Sequence, residues 1–246
     1  MRFLKGTIRV IGLILGVILG GTLVIVLSWL PFWRYRQLPL AAWIPTWTAR
    51  FYCWLFNVEI VGANKEKIGA HQGLLFANHV TYFDIFVLST FIPLRYLAKE
   101  EVLNIPFVGR VGRIIGCVFV KREDKSSRRQ ARQVIGKLET YPAITIYPEG
   151  RRGTGEGLLP FRYGAFAIAL EHGIPILPCV IKYEQFEYMI WQRSEGILRA
   201  IWRLGSRPGG RLRARLVLLP VVVPREGDTA EGLAKAVQAE MEAILD

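Results

Sequence analysis

From Ile8 to Leu30 the chain carries no charge except Arg9 at its edge, and no other stretch limits its architecture so severely. Hydrocarbon offers no water to the backbone, so a segment of this kind must satisfy its own peptide groups as a helix. At 1.5 Å per residue it reaches roughly 30 Å or more, the thickness of a bilayer core. The run is too long for a signal-peptide core. Ser28-Trp29-Leu30-Pro31-Phe32-Trp33 follows it in place of a small-x-small cleavage site, so it reads as a retained anchor. Trp29, Trp33 and Tyr35 supply an interfacial aromatic belt. Arg2, Lys5 and Arg9 precede the span and Arg34, Arg36 and Arg50 follow it, so the positive-inside count is nearly balanced and leaves orientation open. Leu38 to Asn57 is rich in aromatic residues but broken by Pro39, Pro45 and Arg50. It predicts an interfacial or re-entrant helix, which would make a hydrophobic hairpin with the first. Residues 1–57 are thus expected to form a membrane anchor and interfacial segment, and residues 58–246 a separate domain.

Beyond the anchor, short apolar runs alternate with amphipathic stretches. Gly73 to Ala77, Tyr96 to Ala98, Val118 to Val120, Ile144 to Ile146 and Ile176 to Val180 read as strands. Tyr82 to Phe91, Ser126 to Glu139, Gly164 to His172 and Thr229 to Leu245 read as helices. Arg211 to Leu218 alternates in period two, as a half-exposed strand does. This predicts an α/β domain of about 190 residues, with a mostly parallel or mixed central sheet flanked by helices and a core of its own.

Two loops carry the chemistry. In Asn78-His79-Val80-Thr81-Tyr82-Phe83-Asp84 a histidine and an aspartate are separated by four residues. Along a continuous helix the two would point about 140° apart, but across a strand-to-helix turn, with Thr81 as helix cap, Asp84 in the first turn would reach back to His79. A histidine oriented by a carboxylate takes a proton from an alcohol near neutral pH. A surface or capping histidine would show the same spacing. The second loop, Tyr147-Pro148-Glu149-Gly150-Arg151-Arg152-Gly153, follows another apolar strand. Its guanidiniums suit phosphate, and Gly150 lets the backbone come close to one. Glu149 either shapes that pocket or holds Arg152 in place; Arg151 adds a cation to it or points into solvent.

With these blocks in order, the chain resembles the glycerolipid acyltransferase family of the 1-acylglycerol-3-phosphate acyltransferase type. The blocks are His79-x4-Asp84, then Gly116-Cys117-Val118-Phe119-Val120-Lys121-Arg122, the Pro-Glu-Gly-x-Arg loop, and Ile174-Pro175-Ile176-Leu177-Pro178-Cys179-Val180. Leu158 to Phe166 is similar to the family's link after the third block, and the resemblance spans roughly residues 70 to 185. Arg151 and Gly153 depart from the family's usual threonine and serine, which bears on the head group. The resemblance implies a membrane-bound enzyme that moves a fatty acyl group from acyl-CoA or acyl carrier protein to lysophosphatidic acid. Its catalytic domain would face the cytoplasm at the inner membrane. His79 would be the base and Asp84 its orienting partner; Arg122 and Arg152, with Lys121 and Arg151, would grip the phosphate, and Glu149 and Gly150 would shape the pocket. The thioester is a co-substrate, and neither cofactor nor metal is implied. A transferase acting on lysophosphatidylethanolamine or an amino-lipid, a thioester hydrolase and a non-catalytic lipid-binding protein are the other readings.

The formal net charge of +12 would suggest nucleic acid in a soluble chain, but the anchor redirects it toward anionic lipid. The same charge suits an acidic carrier protein. Arg128, Arg129 and Arg132 either meet a phosphorylated donor or form a solvated helix face. Glu187 to Leu204, with Ile190, Trp191, Ile197, Leu198, Ile201 and Trp202 opposed by Arg193, Arg199 and Arg203, either lies on the membrane or packs on the domain. Cys53, Cys117 and Cys179 lack zinc spacing and are expected reduced, with Cys117 and Cys179 as small core residues on strands.

Overall fold

The computed structural model describes residues 2–62, 64–153, 155, 157–190 and 195–245. In chain order the elements are α1 (Arg2–Leu27), a two-stranded hairpin β1 (Arg34–Tyr35) and β2 (Leu38–Pro39), α2 (Leu40–Leu55), β3 (Val58–Val61), α3 (Lys65–Ala70), β4 (Leu74–Ala77), α4 (Phe83–Ser89) and β5 (Arg95–Lys99). A short 3-10 turn leads to α5 (Val108–Ile114), β6 (Val118–Val120), α6 (Lys125–Lys137), β7 (Ile144–Ile146), α7 (Tyr163–His172) and β8 (Ile176–Tyr183). Finally come α8 (Phe186–Met189), α9 (Ile197–Ser206), β9 (Leu212–Leu218) and α10 (Ala230–Leu245).

Seven strands form one sheet in the order β3-β9-β8-β4-β7-β5-β6. All neighbours are parallel except β8 and β9, so the sheet is mixed. β4 lies at its centre and is buried on both faces, which is why its sequence is a continuous apolar run and not an alternating one. Leu75 and Ala77 face the layer that holds α2 and α4, and Leu74 and Phe76 face the layer of α6, α7 and α10. Full burial of each large side chain here is worth about 1.5–3 kcal/mol. β9 alternates as its sequence predicts: Leu212, Ala214 and Leu216 are buried, while Arg211, Arg213 and Arg215 are exposed. Arg211 and Arg213 reach Glu59 on β3 at 3.1 and 3.0 Å.

The apolar N-terminal segment is one helix, but it starts at Arg2 and ends at Leu27, so it opens before and closes before the uncharged run. It packs through Gly12, Gly16 and Gly20 onto Leu55, Tyr52 and Thr48 of α2; a Cβ at Gly16 would stand 2.7 Å from the Tyr52 ring. α1 also packs on α9, where Gly6 and Gly205 let the backbones approach. Arg9, the one charge at the edge of the run, donates to Leu55 O at 2.9 Å and to Gly205 O at 2.6 Å, and so satisfies carbonyls at the ends of two helices. The opposite face of α1, with Leu4, Ile8, Ile11, Leu15 and Leu19, is exposed.

α9 packs on the domain along one face and leaves apolar residues exposed on the other. Ala200, Leu204 and Gly205 are buried, while Ile197, Leu198 and Trp202 remain exposed. Arg203 does not stay on the polar face; it folds back to Glu195 at 2.9 Å and to Ile190 O at 2.7 Å. Trp191 and Arg193 lie outside the described residues. Cys117 precedes β6 instead of standing on it, and is partly buried. β3, α3 and α5 are elements that the apolar pattern alone did not reveal, since each is short and only partly buried.

Candidate active site

The chain leaves β4 at Asn78, whose buried amide stands in for strand backbone. Its Nδ2 donates to Ile181 O at 2.9 Å and its Oδ1 accepts from Ile181 N at 2.7 Å, which prolongs the pairing with β8 by one residue. His79 then starts the turn into α4. Helix α4 lies on one face of the sheet and α7, which follows β7, lies on the other. β4 and β7 are neighbours, so a crevice opens between their carboxyl ends, the usual ligand position in such sheets.

Asp84 is fully buried in the first turn of α4. Its Oδ2 accepts from His79 Nδ1 at 2.8 Å, Val80 N at 2.8 Å and Thr81 N at 2.9 Å, and its Oδ1 accepts from Tyr183 OH at 2.7 Å. The expected meeting of His79 and Asp84 across the turn is present, but Thr81 does not cap the helix as anticipated. Its hydroxyl is only a long 3.4 Å acceptor for Phe83 N, because the Asp84 carboxylate gathers the turn's other amides. With Nδ1–H donated to Asp84, Nε2 carries the imidazole lone pair. His79 is 14% exposed at its side chain. Its ring stacks on Tyr147 with centroids 4.0 Å apart and planes 17° apart. Burial, with the nearby Tyr96 and Asp84 adding to it, pushes the Tyr147 phenol well above its ordinary range, so it stays a neutral platform. Burial and the Asp84 charge do the same for Tyr183, which remains a donor.

The Glu149 loop clamps this turn. Glu149 Oε1 accepts from His79 N at 2.8 Å, Oε2 accepts from Leu159 N at 3.0 Å, and Gly153 N donates to His79 O at 2.7 Å. Both carboxylate oxygens of Glu149 are therefore spent on backbone amides, so it braces His79 and does not meet a ligand with a free oxygen. Burial raises its pKa, and the two amide bonds pull the other way. Gly150 adopts φ +70, a conformation that favours glycine, and a Cβ there would stand 3.2 Å from Arg162 Cγ.

The basic residues divide into groups. Arg122 donates to Gly150 O, and Arg128 donates to Arg122 O. Burial lowers the Arg122 pKa, with the charges of Glu123 and Glu101 opposing that shift and Arg162 adding a little to it. The Arg152 guanidinium lies 4.5 Å over the Tyr82 ring, beside the His79 turn. Arg151 is exposed and lines a cavity of about 1010 Å³ that also takes in Arg122, Tyr147, Glu149 and Gly150. Lys121 is exposed and does not line that cavity. Cys179 is fully buried with its thiol pushed up to about 12 by burial, which removes it as a nucleophile. Sequence reasoning missed Tyr183, Tyr147 and Arg162; a tyrosine distant in the chain carries no local mark of the carboxylate that it will meet.

A family model described as Acyltransferase matches residues 59–182, from β3 through most of β8. The chain belongs to the acyltransferase family. Among the acyltransferases, the 1-acyl-sn-glycerol-3-phosphate acyltransferase of Neisseria meningitidis is 28% identical over 180 residues, 70% of this chain and 69% of that protein. The lysophospholipid acyltransferase LPEAT1 of Arabidopsis thaliana is 32% identical over 63% of this chain and 39% of its own length. The lyso-ornithine lipid O-acyltransferase of Rhodobacter capsulatus is 31% identical over 51% of this chain and 48% of its own. In fold, the chain is similar to the crystal structure of the 1-acyl-sn-glycerophosphate (LPA) acyltransferase PlsC of Thermotoga maritima. The TM-score is 0.74 with 20% identity, over 100% of this chain and 96% of that one.

Proposed function

We propose that this acyltransferase moves a fatty acyl group from a thioester to the free hydroxyl of lysophosphatidic acid, giving phosphatidic acid. The observation that carries the reading is His79, held by Asp84 at 2.8 Å with Nε2 left as the base, next to a loop that brings guanidiniums to the same crevice. His79 takes the hydroxyl proton as the oxygen attacks the thioester carbonyl, and the C–S bond breaks as the tetrahedral intermediate collapses. The proton then passes to the leaving thiolate. Asp84 supports the transient imidazolium through its hydrogen bond to His79 Nδ1. Arg152 and Arg122 hold the phosphate, which brings the hydroxyl near Nε2 and turns binding energy into orientation. The names of the Neisseria relative and of the Thermotoga structure support the lysophosphatidate head group. α1 crosses the bilayer, α2 and α9 lie at its surface, and the catalytic domain faces the cytoplasm, where acyl thioesters occur.

The test is thiol release from an acyl-CoA by the purified chain in detergent, with and without lysophosphatidic acid, with the lipid product identified by mass spectrometry. Release should depend on the acceptor and yield phosphatidic acid. In His79→Ala it should fall by about 10²–10⁴-fold, the share of a general base. Near-normal turnover by folded His79→Ala would overturn the mechanism. Free fatty acid without acceptor would indicate a hydrolase. Preferential acylation of lysophosphatidylethanolamine or an amino-lipid would move the head-group assignment toward the Arabidopsis or Rhodobacter relative.

A further inference from the structure

The cavity beside the Glu149 loop holds more positive charge than one phosphate monoester requires. Arg122, Arg128, Arg132, Arg151, Arg162 and Lys99 line it together with Glu123 and Glu149; Lys99 is paired with Glu101 and Arg132 with Glu171, and Glu149 is committed to backbone amides. A monoester carries a charge of about −1.5 to −2 near neutral pH, which Arg122 and Arg152 already match. The cavity does not stop at the loop. A second cleft of about 930 Å³ on the outer side of α6 shares Arg128 and Arg132 with it and adds Lys125 and Arg129. One continuous basic groove therefore runs from the wall of the His79 site, through Tyr147 and Glu149, outward past Arg162 to α6.

We propose that this groove is the subsite for the nucleotide end of a coenzyme A thioester, with Arg162 and the Gly150 loop on the diphosphate and Arg128 and Arg132 on the ribose 3′-phosphate. The proposal rests on the acyl-transfer reading and deepens it by naming the donor. Coenzyme A carries three phosphoryl groups, two in the diphosphate and one on the ribose, and its thiol lies at the far end of the pantetheine arm. An extended track of cations that runs from the cavity walled by Tyr147, the ring on which His79 stacks, out to α6 fits that molecule. The arm of a carrier protein carries one phosphodiester and leaves the outer arginines without a phosphate. The sequence left Arg128, Arg129 and Arg132 divided between a solvated helix face and a donor contact. The structure turns Arg128 and Arg132 into the cavity, where Arg132 also pairs with Glu171 at 2.9 Å.

The test is calorimetric titration of the full chain in neutral detergent with CoA and with 3′-dephospho-CoA, for wild type and for Arg128→Gln/Arg132→Gln. Wild type should bind CoA roughly tenfold or more tightly than dephospho-CoA, the worth of a charge-assisted hydrogen bond. The double variant should lose that discrimination. In turnover, its KM for palmitoyl-CoA should rise by a similar factor while its KM for lysophosphatidic acid stays where it was. Equal binding of the two nucleotides by wild type would overturn the proposal. So would a rise confined to the KM for lysophosphatidic acid, or an acyl carrier protein donor with a lower KM that depends on the same two arginines. The nucleotide comparison on wild type needs neither a variant nor an acceptor. If no phosphatidic acid forms but CoA still outbinds dephospho-CoA, the lysophosphatidate reading fails and the nucleotide site stands.

Discussion

Glu149 offers the sharpest case at the scale of a single side chain, because its two oxygens each hold a backbone amide and one of these belongs to His79. Glutamine in its place keeps one acceptor and turns an amide N–H toward the other, so one buried donor is left unmet at about 1–3 kcal/mol. Glu149→Gln should lower the unfolding midpoint in denaturant accordingly, and reduce kcat because His79 loses its brace. The pH dependence follows from the raised pKa. Burial favours the protonated form in the folded chain, so the stability that Glu149 contributes is fullest below the ordinary carboxylate range. It declines as pH rises through the raised folded value. The deficit of the variant relative to wild type should therefore be largest at low pH and narrow toward neutrality, and stability measured across that range checks it. A gap that widens with pH would contradict this account. The sequence made the carboxylate's presence in the loop legible, but not its partners. An amide at residue 79 and another at residue 159 meet it only because β4 and β7 are neighbours.

Among the elements, α2 connects α1 to α4, whose first turn carries Asp84. Tyr52 donates to Leu13 O on α1 at 3.0 Å and meets Phe86 of α4 with ring centroids 4.7 Å apart, and Arg50 donates to Thr90 O just past α4 at 2.8 Å. α1 approaches Tyr52 this closely only because it presents Gly16 there. Gly16→Leu must push the helices apart or distort Tyr52, an overpacking cost of about 1–3 kcal/mol. Thermal denaturation in detergent should show a lower midpoint for Gly16→Leu and little change for Leu15→Ala, whose side chain is exposed on the other face. Equal midpoints for Gly16→Leu and wild type would mean that the two helices do not dock tightly. The apolar run announced α1, and the proline-broken aromatic stretch announced α2. Their contact was not legible, since glycines spaced along an apolar helix look the same whether they face lipid or a neighbour.

For the whole molecule, the α/β class was legible because strand and helix periods are local. The sheet order was not, because the antiparallel β8-β9 pair and the β4-β7 junction depend on contacts far apart in sequence. That order sets where the charge goes. α1 packs on both α2 and α9, so their exposed apolar residues, including Phe51 and Trp54 on α2 and Leu198 and Trp202 on α9, belong to helices joined through α1. Arg122, Arg128, Arg129, Arg132, Arg151 and Arg162 instead line the clefts beside α6. On the proposed membrane placement, a chain of net charge +12 should draw anionic acceptors toward the crevice by long-range attraction as well as by direct contact. Salt shortens the reach of that attraction, from a Debye length of about 10 Å at 0.1 M to about 3 Å at 1 M, while leaving the chemistry at His79 largely untouched. In vesicles of phosphatidylcholine, raising sodium chloride over that range should increase the apparent KM for lysophosphatidic acid several-fold with kcat nearly constant. A KM indifferent to salt would confine the work of the basic residues to direct contacts. A kcat that falls in parallel would instead mean that salt disturbs the positioned site.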